Sequence, residues 1–186
     1  MLEVVFNSVY SDLDSQRIDL EDHSSDGLIK QESSMIRKFL EYRSDKDLLL
    51  KSEGGKPKLK TAVASLSREL LDYLDCFELY VVIDLDGGSI DGIIEDIDEE
   101  LETRSTTNRA SLEKSGSLEP ASPFLIQDTV FSYRHLEYEI RFITLEYTLE
   151  DVANIDKNTD SGEDQRQKVR NISQREDIQS VLSEYT

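Results

Sequence analysis

The sequence predicts a small α/β domain, a mostly parallel sheet flanked by helices. Three observations carry that expectation. Strand-like and helix-like patterns alternate along the chain. Residues 79–83 (LYVVI) form a continuous apolar run, as in a strand buried on both faces. The segments on either side of this run are amphipathic at helical spacing, which favours helices packed on a sheet.

Taken in order, residues 2–6 (LEVVF) read as a short first strand, and 7–27 as an acidic, irregular excursion. Residues 33–42 place Met35, Ile36, Phe39 and Leu40 at helical spacing. Leu48, Leu49 and Leu50 form a second short strand. Residues 59–74 carry a stripe of Ala62, Val63, Leu66, Leu70, Leu71 and Leu74, the apolar face of a helix. The buried strand 79–83 follows. Ser89 is a suitable cap for a helix through Glu102, with Ile90, Ile93, Ile94, Ile97 and Leu101 facing inward. Residues 103–123, rich in Ser and Thr with two prolines, read as a flexible surface loop. Residues 134–145 alternate as a strand with Leu136, Tyr138, Ile140 and Phe142 on one face. The domain therefore covers 28–152, with 1–27 before it. Residues 153–186 are a polar tail ending in a short helix from about residue 175.

At 186 residues the chain suits one domain. Its net charge of −19 comes from 40 acidic against 21 basic residues, spread along the chain rather than in blocks. Spread acidity fits a halophilic surface, since near 1 M salt the Debye length falls to ~3 Å and self-repulsion fades. Mimicry of nucleic acid is the competing explanation. Disorder of the whole chain is excluded by the apolar runs at 79–83 and 138–145. The one cysteine, Cys76, rules out an intrachain disulfide and reads as a structural thiol. No stretch approaches the ~20 apolar residues of a membrane span, and residues 1–6 are too short and acidic for a signal peptide. A cytoplasmic protein without a membrane partner is expected.

Chemistry concentrates in residues 84–88 (DLDGG). Asp84 and Asp86 lie two apart at a strand end, so their carboxylates share a side. Such a pair repels itself unless a cation intervenes, and Mg²⁺ or Mn²⁺ suits oxygen ligands of this kind. Gly87 and Gly88 permit a sharp exit. In parallel sheets, ligands bind outside the carboxyl ends of strands, where this run falls. The plainer alternative is an ordinary strand-ending turn. A second cluster, Gly54, Gly55, Lys56, Lys58 and Lys60, offers a phosphate contact at a helix start. It lacks the spacing of a Walker loop, and a solvated turn explains it equally well.

A hydrophobic strand ending in Asp84-Leu85-Asp86-Gly87, downstream of the Gly54-Gly55-Lys56 turn and its helix, resembles the Toprim fold of topoisomerases, primases and recombination proteins. It also resembles nucleases of the overcoming-lysogenization-defect group. The resemblance covers residues 28–152 and implies a small Rossmann-like parallel sheet. It also implies a glutamate after the first strand and metal-binding Asp-x-Asp after a later one. Glu32, followed by Phe39 and Leu40 at the matching offsets, maps to that glutamate, although Ser33 and Ile36 depart from the pattern. A second alignment starts from residues 2–6 and puts Asn7 there instead. Residues 144–149 (TLEYTL) are similar to a segment of the nuclease branch in which an acid lies near the metals; Glu146 maps to it. An acid-rich helix start is the alternative.

The resemblance implies a Mg²⁺- or Mn²⁺-dependent nuclease-like enzyme acting on phosphodiester bonds of nucleic acid. Asp84, Asp86 and Glu146 would be metal ligands, with Asp84, Asp86 and Glu32 the catalytic set. Two alternatives stand beside it. One is a degenerate Toprim-like module that binds or inhibits a protein or nucleic-acid partner. The other is a haloacid-dehalogenase-type phosphatase, suggested by residues 82–87 (VIDLDG). Gly88 breaks that motif, and no later strand supplies its paired acids.

Overall fold

The computed structural model describes residues 9–10, 13–19, 30–41, 45–52, 55–69, 78–103, 110–154 and 162–186. β1 (Ser15–Asp19) and β2 (Leu48–Ser52) pair in parallel, joined through α1 (Lys30–Leu40). Then come α2 (Lys56–Glu69), β3 (Leu79–Asp84), α3 (Ile90–Thr103), β4 (Ala110–Ala121), β5 (Phe124–Tyr133) and β6 (Leu136–Leu145). Three helices close the chain: α4 (Leu149–Ala153), α5 (Gly162–Ser173) and α6 (Glu176–Tyr185).

The larger sheet has four strands in the order β3-β6-β5-β4. β3 runs parallel to β6, whereas β6, β5 and β4 form an antiparallel meander. The α/β class is therefore as expected, but this sheet is mixed. The reason is local. Residues 134–135 and 122–123 make tight turns, and turns that short can only join antiparallel neighbours.

Alternation along the strands separates two cores. Val81, Ile83, Phe142, Ile140, Phe131 and Leu112 face α2 and α3, meeting Val63, Ile94, Ile97 and Leu101. The opposite face presents Phe124, Ile126, Ile143 and Leu145 to Val152 of α4, Ile172 of α5, and Ile178 and Leu182 of α6. Leu48 and Leu50 of β2 pack against this second core. Residues 79–83 of β3 thus each pack against one core or the other, which is why that run is apolar throughout. Tyr138 of β6 packs on the first core and its hydroxyl donates to the Ser67 carbonyl at 2.9 Å; burial holds that phenol protonated well above its usual range.

Four expectations need correction. Residues 110–121, read as part of a loop, form β4. Their polar sequence is that of an edge strand: only Ala110 and Leu112 are buried, and backbone pairing with β5 holds 110–115 and 119–121. The pairing shifts register between Ser115 and Glu119, where Gly116 takes φ +72°. β5 adds a strand that the periodicity argument leaves unassigned. β1 falls inside the segment read as irregular. In the polar tail the expected short helix is present as α6, which closes the second core, but α5 precedes it where none was expected. The expected strand at 2–6, together with Asn7, Cys76 and the Leu70, Leu71 and Leu74 end of the helical stripe, lies outside the described residues.

Leu182 is wholly buried. Leu182→Ala should therefore lower unfolding free energy by about 2–5 kcal/mol in a urea titration. A loss near zero would show that α6 is not part of the cooperative unit.

Candidate functional site

β3 and β6 pair from Leu79 with Ile140 through Asp84 with Leu145, and the Leu85 N–H extends the ladder to the Leu145 carbonyl at 3.0 Å. Because the strands are parallel, their carboxyl ends emerge side by side. One edge therefore carries both the 84–88 loop and the Glu146-Tyr147 segment.

The loop turns at once. The Gly88 N–H donates to the Leu85 carbonyl at 2.8 Å, closing a four-residue turn. Both central residues have positive φ, +46° at Asp86 and +77° at Gly87. Asp is among the few residues that tolerate this conformation, and Gly adopts it freely. A side chain at Gly88 would begin 3.0 Å from the Leu85 carbonyl, so that position is also held to glycine by contact. Ser89 then caps α3, its Oγ accepting from the Gly92 N–H at 3.1 Å, as its place before the apolar stripe suggested.

This geometry aims Asp84 and Asp86 at one point, and the Lys56 ammonium stands there. Lys56 Nζ donates to the Leu85 carbonyl at 2.8 Å, and lies 3.7 Å from Asp84 Oδ1 and 3.8 Å from Asp86 Oδ2. Asp84 is the inner acid, 28% exposed at its side chain, and Asp86 the outer, at 65%. Each pairing is of the partly solvated kind, worth about 1 kcal/mol or less. The donor set is thus all oxygen, two carboxylates and a carbonyl, around a position already holding positive charge. Oxygen ligands of this kind are those a hard divalent cation takes, and Asp84, Asp86 and the Leu85 carbonyl are the groups here that would hold one.

The other sequence candidates are dispersed. Gly55, with φ +120°, precedes α2, and its carbonyl accepts from the Leu59 N–H at 3.0 Å. Gly54 lies outside the described residues. Lys60 is paired with Asp96 of α3. Lys58 is exposed on α2. Of the three lysines, then, Lys56 meets the acids, Lys60 ties α2 to α3, and Lys58 faces solvent. Glu146 is exposed, with its backbone N–H donating to the Pro123 carbonyl at 3.1 Å. It directly follows the residue paired with Asp84. Glu150, its neighbour one turn on, is taken up by Lys168 of α5. Glu32 falls in the first turn of α1, not at the end of a strand, and its side chain lies outside what is described. Among the described residues no group of three or more His, Cys, Asp or Glu side chains is gathered to hold a metal.

Sequence reasoning missed the Leu85 carbonyl and the partners that Lys56 takes. The Leu85 carbonyl has no sequence signature, because any residue supplies one. The Lys56 contact was hidden by distance along the chain, although a lysine beside glycines in so acidic a chain was the available signal. No family model matches the chain, and no curated protein or solved structure does either.

Gly87 has nothing within 4 Å of the position a Cβ would take, so only its φ resists substitution. Gly87→Ala should destabilise the protein by about 1 kcal/mol, read as a fall in the urea midpoint at unchanged slope. An unchanged midpoint would mean the turn is not held as described.

Proposed function

We propose that the chain is a Toprim-like, Mg²⁺- or Mn²⁺-dependent enzyme of nuclease type, acting on phosphodiester bonds of nucleic acid. One observation carries this reading. Two carboxylates and a carbonyl converge on a single cation position at the carboxyl end of a buried parallel strand. Asp84 and Asp86 would hold the metal, with Glu146 as the nearest acid on the neighbouring strand end. The metal would supply charge neutralisation at phosphoryl oxygens and a more acidic bound water.

The protein's own groups have separate tasks. The β3–β6 pairing and the 85–88 turn keep the two carboxylates preoriented. Lys58, exposed at the start of α2, contacts the substrate backbone. Glu32 serves as general acid or base only where α1 brings it to this edge. The Rossmann-like character and the cytoplasmic setting belong to this same reading; what the structure contributes to the latter is that no described helix is long and apolar enough to cross a membrane.

A second reading draws on a specific observation. Lys56 already balances part of the acidic charge, as expected of a degenerate module that keeps the fold and binds a protein or nucleic-acid partner without cleaving.

Calorimetric titration of Mn²⁺ into wild type and an Asp84→Ala/Asp86→Ala variant separates the two. The enzyme reading expects saturable binding that the double substitution abolishes, together with metal-dependent cleavage of single- or double-stranded DNA. Equal, weak heats in both proteins would remove it and leave the binding module.

A further inference from the structure

We draw no further inference here: the strongest candidate, the exposed Tyr147 ring that follows Glu146 at the carboxyl end of β6, is a single apolar surface residue with nothing among the described residues to show what covers it.

Discussion

Residues Leu79 to Asp84 pair in parallel with Ile140 to Leu145, and both strands are covered on each face. Parallel pairing cannot be made by a hairpin, so everything between the two strands must leave and return. Here the excursion is α3, β4 and β5. It covers one face with Ile90, Ile93, Ile94, Ile97 and Leu101, and extends the sheet on the far side of β6. The strands consequently end together. Asp84, the Leu85 carbonyl and Glu146 share an edge because the ladder continues to the Leu85 N–H. Breaking that register would move the acids and uncover both cores at once.

Electrostatics act on this frame in two ways. The net charge of −19 is spread broadly and is screened by salt. The contacts around residues 84–88 are local and partly withdrawn from solvent, so they are screened less. Lys60 with Asp96 and Lys114 with Asp91 fasten α2 and β4 to α3, while Lys56 turns to the loop. Scarce positive charge is therefore spent where elements meet and at the carboxylate pair.

Much of this was legible in the sequence, for identifiable reasons. The run at 79–83 announced a doubly covered strand, and Ser89 followed by isoleucines at helical spacing announced α3. The Asp-x-Asp-Gly-Gly string announced a tight turn with two carboxylates on one side, and the turn and their convergence are present. What was not legible drew its stability from elsewhere. β4 is held by backbone pairing along an exposed edge, so its residues carry almost no apolar signal. β1 (SQRID) has no clear alternation. α5 is largely polar, and among its described side chains Ile172 is the one buried in the core, too sparse a signal for periodicity to register. The mostly parallel expectation followed from counting alternations, and it failed for the larger sheet where two short turns turned the chain back. Lys56 shows a further limit. Its neighbouring glycines point to phosphate, while the carboxylates it meets lie across the fold.

The central claim is that the 84–88 loop is a specific cation site rather than one more acidic stretch on an acidic surface. Amide chemical-shift mapping during a Mg²⁺ titration, in buffer of high ionic strength, addresses it directly. The account predicts saturable shifts confined to residues 84–88, to Lys56 and to 145–147, with the rest of the acidic surface silent. Shifts spread along the acidic residues without saturation would mean diffuse counter-ion association, and would contradict it.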